Sequence, residues 1–143
     1  TPLTFETVTM CDYIEHVRAP RETLARVRSM LTSNGALAIT SPDTGSLSRR
    51  LLGNGWSHYK VEHLYYFNRR NLDRLLKDVG FRRVTFHPLV KTLSLDYVHR
   101  QLGVYPHRAL TPVSNALNAV LPSPLRAAPL KFFAGELLAV AEV

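Results

Sequence analysis

The sequence predicts an α/β domain built around a mostly parallel sheet. Short apolar or β-branched segments alternate with segments of helical periodicity, an order typical of parallel strands joined by right-handed helical crossovers. Residues 36–40 (ALAIT) form a continuous apolar run of the kind found in strands buried within parallel sheets. With 143 residues, 45% hydrophobic and 20% charged, the chain has the size and composition of one globular domain. We therefore expect a single domain over residues 1–143.

The first half of the chain supplies two strands and two helices in this interpretation. A strand is predicted over 5–11 (FETVTMC), which is rich in β-branched and apolar residues. Pro20 then stands at a first helical position, and apolar residues recur at helical spacing until Gly35. The second strand follows at 36–40, and a short helix is expected over 46–52.

The second half supplies one helix and two further strands. Asn68 is a good N-cap for a helix with one apolar stripe, and Gly80 is suited to end it. Strands are predicted over 81–87 (FRRVTFH) and 137–143 (LLAVAEV). The first three strands of the chain should run parallel to one another.

A long insertion separates the last two strands. Residues 88–134 are punctuated by prolines and are too long for an ordinary loop, so we expect them to be functional and to contain helices near 95–102 and 114–120. We expect a helical lid over the carboxyl edge of the sheet, with Leu95, Val98 and Leu102 facing inward.

Composition excludes several classes of protein. The single Cys11 excludes an internal disulfide and a CxxC site, which favours a reducing compartment and a cytoplasmic protein. The longest charge-free run is interrupted by prolines, so no membrane span is expected. The net charge of +7 permits nucleic-acid binding, although scattered charges more often form a solvated face.

Three stretches of the chain recur together in one family. The first stretch is residues 8–53, which begin with VTMCDYIEHV, include the Asn34-Gly35 turn and end with SPDTGSLSRRLLG. The second is residues 62–84 (EHLYYFNRRNLDRLLKDVGFRRV), and the third is residues 135–143 (GELLAVAEV). In these the chain resembles the C-terminal half of class I S-adenosylmethionine (SAM)-dependent methyltransferases of the small-molecule type. The resemblance implies a partial Rossmann-like fold, with SAM as cofactor and a small molecule as substrate. The four predicted strands would then be the family's fourth, fifth, sixth and antiparallel seventh, the last inserted between the fifth and sixth.

The sequence also departs from the family pattern. It lacks the first three strands, the glycine-rich loop and the acidic residue that holds the ribose, and Gly53-Asn54-Gly55 does not replace that loop because no strand precedes it. We therefore expect residues 1–143 alone, without the N-terminal half of the domain, to bind SAM weakly. The strand at 4–11 should form a sheet edge that is open to self-association.

Candidate site residues lie beyond the strand ends, where ligands of doubly wound sheets bind. The family places the cofactor's methionine portion near Asp12, while Glu15 and His16 follow within one turn and could orient or deprotonate an acceptor hydroxyl. We predict catalytic roles for Glu15, His16 and His63, cofactor binding by Cys11 and Asp12, and substrate binding by Tyr13, Ser41, Trp56 and Tyr65.

Structural roles are the alternatives. Asp12 could stabilise a turn, Glu15 could cap the turn that follows, His16 could bond local backbone, and His63 could be a buried histidine. Cys11 is expected to be a small buried hydrophobe rather than a nucleophile. No metal site is expected, because His16, His58 and His63 lack the spacing of paired ligands on one helix.

Two other functions remain open at this point. The chain could be a non-catalytic methyltransferase-like fragment or interaction module that keeps the fold without binding SAM. It could also be a basic RNA-associated domain, which requires its arginines to converge on one face; we do not expect this. Those arginines are Arg49, Arg50, Arg69, Arg70, Arg82 and Arg83.

Overall fold

The computed structural model describes residues 3–143, apart from the side chain of Ala134. The first two residues of the predicted domain therefore lie outside the described part. The strands are β1 (Phe5–Cys11), β2 (Leu31–Pro42), β3 (Arg83–Leu93) and β4 (Leu130–Glu142). The helices are α1 (Pro20–Met30), α2 (Leu47–Leu52), α3 (Arg69–Asp78), α4 (Leu95–Val104), α5 (Leu110–Val120) and α6 (Ser123–Ala127), with 3-10 turns at Ile14–His16 and Gly53–Gly55.

The sheet has the strand order β1-β2-β4-β3. β2 pairs with β1 in parallel, while β4 is antiparallel to both β2 and β3. The first three strands are therefore parallel, and the last strand is inserted between its two predecessors. This confirms the predicted α/β fold class and the position of the antiparallel strand.

α1 and α3 begin where their capping residues predict, and α3 ends before Gly80 as expected, but α1 ends at Met30 rather than near Gly35, because β2 already begins at Leu31. Pro20 occupies the first turn of α1, and Asn68 forms a reciprocal capping box with Asn71 at the start of α3. Gly80 follows α3 with a φ of 100°, a left-handed conformation that glycine adopts without steric cost. Arg21 joins α1 to α3 through a 2.6 Å ion pair with Asp78.

One face of the sheet forms the core. Leu37 and Ile39 of β2 are fully buried, whereas Ala36 and Ala38 on its other face remain half-buried. The prediction of a strand buried on both faces is therefore only half right, because α1 and α3 pack on the face of Leu37 and Ile39. The core cluster around them includes Ile14, Leu24, Leu72, Leu76, Phe81, Leu137, Ala139 and Ala141.

The last two strands are longer than the sequence indicated. β3 continues past Pro88 to Leu93, and β4 begins at Leu130, so the two pair beyond the end of β2. The helical part of the insertion is consequently limited to α4, α5 and α6. The sequence did not indicate this part of β3 because Pro88 interrupts the strand pattern, but a proline is tolerated on an edge strand, and β3 lies at the edge of the sheet.

β1 is an edge strand of the described sheet. Most of its residues are exposed, while Met10 packs into the core. The edge position agrees with the sequence-based expectation, and self-association through 4–11 stays a prediction. Within residues 3–143, no helix has the length and apolar character needed to cross a bilayer.

Candidate active site

The ends of β1 and β2 meet at one edge of the sheet. The backbone N–H of Asp12 donates to the carbonyl of Thr40 at 3.1 Å, continuing the parallel ladder. One turn later, the Ser41 hydroxyl donates to Glu15 Oε2 at 3.1 Å. The predicted grouping of Asp12, Glu15 and Ser41 at the carboxyl edge is therefore confirmed.

Asp12 turns the chain out of β1. Its φ of 47° lies in the left-handed region, which aspartate tolerates better than most non-glycine residues. The Thr40 hydroxyl bonds both the Asp12 N–H and Oδ1, at 3.1 and 3.2 Å. The turn leads directly into the 3-10 turn Ile14–His16, which places Glu15 beneath the strand ends.

Glu15 is a buried carboxylic acid with one unpaired oxygen. The residue is 1% exposed, and Oε1 has no hydrogen-bond partner. Burial raises the pKa of Glu15, and the charge of Asp12 adds to the rise, while the hydrogen bonds from its own backbone and from Ser41 oppose it. An unpaired buried oxygen costs about 1–3 kcal/mol. The cost is a reason to expect a ligand at Oε1.

Two histidines from distant segments pack beside Glu15. The rings of His16 and His63 meet edge to face with centroids 4.7 Å apart. His16 Nδ1 lies 2.9 Å from the carbonyl oxygen of Glu62, whereas His63 Nδ1 is buried without a partner. One donor atom from each of Glu15, His16 and His63 lies within 4.8 Å of the others. The spacing of histidines along single helices could not reveal this cluster.

Burial also affects the protonation of His63. Desolvation lowers the pKa of His63, and the neighbouring His16 lowers it further, while a hydrogen bond with the His58 backbone opposes both effects. Burial thus favours the neutral forms of both Glu15 and His63.

A second polar group lies on the ribbon formed by β3 and β4. Lys91 Nζ is 2.6 Å from Glu136 Oε1 and 3.4 Å from Asp12 Oδ2, and His58 Nε2 is 3.6 Å from the same Glu136 oxygen. Burial acts to lower the pKa of Lys91, but its hydrogen bond with Glu136 and the charges of Glu136 and Asp12 outweigh this and raise it. Lys91 and Glu136 were not among the residues predicted from the sequence. The available signal was a glutamate directly before the apolar run of 137–141.

Trp56 forms the wall beside this group. It is 2% exposed, and its indole N–H donates to Ser48 Oγ at 3.2 Å. Its ring contacts those of His58 and Tyr59 edge to face, at 4.9 and 5.3 Å between centroids.

Gly135 allows the backbone of β4 to lie close to the side chains of Ser48 and Trp56. Its φ is 84°, and a Cβ atom built there would collide with Ser48 Oγ and lie 3.2 Å from Trp56 Nε1. Its carbonyl also accepts the N–H of Asp43 at 2.8 Å. Only glycine suits both the conformation and the space.

Two cavities adjoin at Trp56. The polar cavity has a volume of about 680 Å³ and is lined at its base by Asp12, Glu15, His16, His63, Lys91 and Glu136. The apolar cavity has a volume of about 380 Å³ and is lined largely by α4, α5 and the start of β4. Leu95, Val98 and Leu102 line it, in agreement with the expected inward face. Residues shared by both cavities are Leu52, Trp56, Ser57, Leu93, Val98, Leu102 and Leu110.

Other predicted site residues lie outside both cavity linings. Tyr13 is 51% exposed, and the Tyr65 hydroxyl donates to the Arg18 carbonyl at 3.0 Å. Ser41 is buried and holds Glu15 from behind. Cys11 is exposed rather than the buried hydrophobe expected, because β1 is an edge strand and Cys11 ends it.

Two of the arginines considered for RNA binding have partners within the chain. Arg49 Nε donates to the Tyr59 hydroxyl at 2.9 Å, and Arg69 Nε lies 3.7 Å from Asp43 Oδ2. These contacts favour structural roles for Arg49 and Arg69.

Comparison with known proteins identifies the family. The model of the methyltransferase domain family matches residues 2–85, more than half of the chain. The chain belongs to this methyltransferase family. It is the class I SAM-dependent family that the sequence resembles, and the match includes the ends of β1 and β2 together with Glu15, His16 and His63. A search of curated proteins by sequence finds no significant match.

Solved structures agree on the fold. A SAM-dependent methyltransferase from Thermotoga maritima, described as a possible histamine N-methyltransferase, is 17% identical and superposes with a TM-score of 0.58 over 99% of this chain and 59% of its own. A SAM-dependent methyltransferase from Archaeoglobus fulgidus is 18% identical with a TM-score of 0.55, covering 98% of this chain and 60% of its own. The chain thus spans about three fifths of the length of either solved chain.

Proposed function

We propose that the chain forms the acceptor-binding part of a SAM-dependent methyltransferase that methylates an oxygen or nitrogen of a small molecule. The observation that supports this most directly is the convergence of Glu15, His16 and His63 on the polar cavity at the carboxyl edge of the sheet. Ligands of doubly wound sheets bind at this edge. The family supplies the reaction class.

Cys11 and Asp12 are the residues proposed to face the cofactor. Both are exposed at the end of β1, where the left-handed turn at Asp12 leaves the strand end accessible. SAM supplies an activated methyl group on a positively charged sulfur. Because the sequence contains no glycine-rich loop between a strand and a helix, residues 1–143 alone should bind SAM weakly.

Glu15 and His63 are proposed to hold the methyl acceptor. Glu15 Oε1 and His63 Nδ1 are buried without protein partners, so a hydroxyl or amine of the acceptor would satisfy both at once. His16 completes the group. Fixing the acceptor atom in one orientation provides much of the acceleration in a displacement reaction.

The apolar cavity indicates the kind of acceptor. It adjoins the polar cavity across Trp56 and Leu102, so one molecule can place a polar group near Glu15 and an apolar group among the side chains of α4 and α5. We therefore propose an acceptor that combines a hydroxyl or amine with an apolar portion. In this proposal the insertion acts as the lid that selects the substrate.

Thermal denaturation of the 143-residue chain tests the acceptor site. Phenols and amines with apolar substituents should raise the melting temperature, whereas matched compounds without the hydroxyl or amine should not. His63→Ala should abolish the shift, and His87→Ala, which alters an exposed histidine on β3, should retain it. Equal shifts with wild type and His63→Ala would place the acceptor elsewhere.

Mass spectrometry then tests the reaction. Compounds that bind should gain one methyl group in the presence of SAM and a glycine-rich half-domain supplied from a family member. Calorimetry with SAM alone should give weak binding, and micromolar affinity would contradict the assignment of the cofactor site. Failure of every binding compound to be methylated would favour the non-catalytic interaction module.

A further inference from the structure

We propose that Glu15, His16 and His63 bind a divalent transition-metal ion. Two imidazoles and one carboxylate, with the remaining positions open, make up a ligand set used by catalytic zinc sites and by other first-row metals. One donor atom of each residue lies within 4.8 Å of the others, and all three residues line the polar cavity. The proposal rests on the same residues as the proposed function: with the ion bound, the acceptor would meet Glu15 and His63 through the ion rather than directly. Metal binding can be measured without SAM or an acceptor.

Unpaired atoms are the first argument. Glu15 Oε1 and His63 Nδ1 are buried and have no hydrogen-bond partner. Glu15 as a whole is 1% exposed, so water reaches its carboxyl poorly. A metal ion would pair with both atoms and remove the cost of burying them.

The tautomer of His16 is the second argument. Its Nδ1 lies 2.9 Å from the Glu62 carbonyl, and because a carbonyl oxygen only accepts, Nδ1 carries the hydrogen. Nε2 of the neutral ring then presents a lone pair. Histidine ligands are commonly oriented in this way, with the other ring nitrogen donating to a backbone carbonyl.

Hydrogen bonds within the chain also position the three proposed ligands. The Ser41 hydroxyl binds Glu15 Oε2 and leaves Oε1 for the ion. The Glu15 carbonyl accepts the N–H groups of Leu64 at 2.8 Å and Tyr65 at 3.1 Å, which ties the segment bearing His63 to the turn bearing Glu15 and His16. The three ligands are therefore held together by backbone bonds that do not depend on the ion.

The donor atoms of the three residues would need to move only slightly closer to one another to bind an ion. Ligands at about 2.0–2.1 Å from a tetrahedral ion lie roughly 3.3 Å from one another. Side-chain rotation of Glu15 and His63 would reduce the present separation, which reaches no more than 4.8 Å. An acceptor oxygen from the polar cavity could occupy an open position and become more acidic there.

Calorimetry with metal salts tests the site on the tag-free 143-residue chain. We expect one Zn²⁺ or Co²⁺ per chain, and a visible absorption spectrum of bound Co²⁺ that indicates nitrogen ligation. Mg²⁺ should bind at least about tenfold more weakly, since imidazole is a poor ligand for it. Equal affinity for Mg²⁺ and Co²⁺, or no binding of Zn²⁺, would overturn the proposal.

Variants locate the site. His16→Ala, at an exposed position that folding should tolerate, and Glu15→Gln should each weaken Zn²⁺ binding at least about 100-fold, and Ser41→Ala about tenfold through loss of ligand orientation. His87→Ala, which removes an exposed histidine outside the cluster, should bind Zn²⁺ like the wild type. Circular dichroism identifies unfolded variants. A folded His16→Ala chain with unchanged affinity would refute the assignment, as would an equal loss in His87→Ala.

Discussion

The polar and apolar cavities differ in the origin of their walls. At the base of the polar cavity, Asp12, Glu15, His16 and His63 come from the family match of residues 2–85, whereas Lys91 and Glu136 come from β3 and β4 beyond it. The apolar cavity takes its lining largely from α4, α5 and β4, beyond that match. The four residues of the proposed site that come from the family match are thus positioned by the first part of the chain, and the shape of the neighbouring space is set largely by the insertion. If the proposed function holds, changes in the insertion can alter the acceptor without altering Glu15, His16 and His63.

The largest expected effect comes from removing the wall that both cavities share. Trp56→Ala should lower the free energy of unfolding by about 3–5 kcal/mol, because a buried indole is lost and a void remains. Chemical denaturation measures the change. Leu51→Ala, at a position that is 76% exposed, is the matched control and should change stability by less than about 0.5 kcal/mol. A similar loss in both variants would mean that Trp56 does not support the cavities.

The next largest effect on stability concerns the Lys91–Glu136 ion pair at the base of the polar cavity. Lys91→Met replaces the aliphatic part of the lysine side chain but removes its ammonium group. The Glu136 side chain, which is 2% exposed, then loses its closest cation. The expected loss of stability at pH 7 is about 2 kcal/mol. Lys91→Arg should restore part of it.

The pH dependence of that variant has a defined sign. The pKa of Lys91 is raised above its ordinary value of 10.5, so its pairing with Glu136 and Asp12 is complete below that pH and is lost as the pH rises through the higher folded value. The stability difference between wild type and Lys91→Met should be constant between about pH 7 and 9 and should shrink above about 10.5. His58 also faces Glu136, with its Nε2 atom 3.6 Å from Oε1. A difference that vanished near pH 7 would contradict the ion pair.

A smaller effect distinguishes the two cavities directly. Leu117 lines only the apolar cavity and is 39% exposed, so Leu117→Asp should fold. Binding of the neutral fluorescent probe N-phenylnaphthylamine should weaken about tenfold, as expected for losing the contact of one leucine side chain. Zn²⁺ affinity should not change in this variant, whereas His16→Ala should show the reverse pattern. Weaker binding of both the probe and Zn²⁺ in either variant would mean that the two cavities are not independent binding sites.

The smallest effect lies remote from both cavities. Arg21 and Asp78 form an ion pair between α1 and α3, with side chains that are 58% and 43% exposed. Arg21→Ala should cost no more than about 1 kcal/mol, and added salt should reduce the difference. Neither probe nor metal binding should respond.

Sequence reasoning predicted the sheet edge well. The alternation of strands and helices, together with the parallel order, already places Asp12 and Ser41 side by side. The helix caps at Pro20 and Asn68 are local features, so the adjoining sequence was sufficient to predict them.

The cluster itself depends on long-range contacts. His63 lies in the irregular segment between α2 and α3, which has no periodicity from which its position could be predicted. The segment is held at Glu15 by long-range hydrogen bonds, including those from the N–H groups of Leu64 and Tyr65, which lie 49 and 50 residues after Glu15. Lys91 and Glu136 face each other because β3 and β4 extend past Pro88, where local propensity indicates a break. Such pairings are decided by tertiary structure rather than by local preference.

The two hydrogen bonds to the Glu15 carbonyl link the site to local unfolding. Leu64 and Tyr65 are exposed side chains on an irregular segment, yet their amide hydrogens should exchange with solvent only when this segment detaches from the turn. Each detachment would carry His63 away from Glu15 and dismantle the site while the sheet remained folded. The exchange rates of these two amides therefore measure the fraction of time for which the proposed site is assembled.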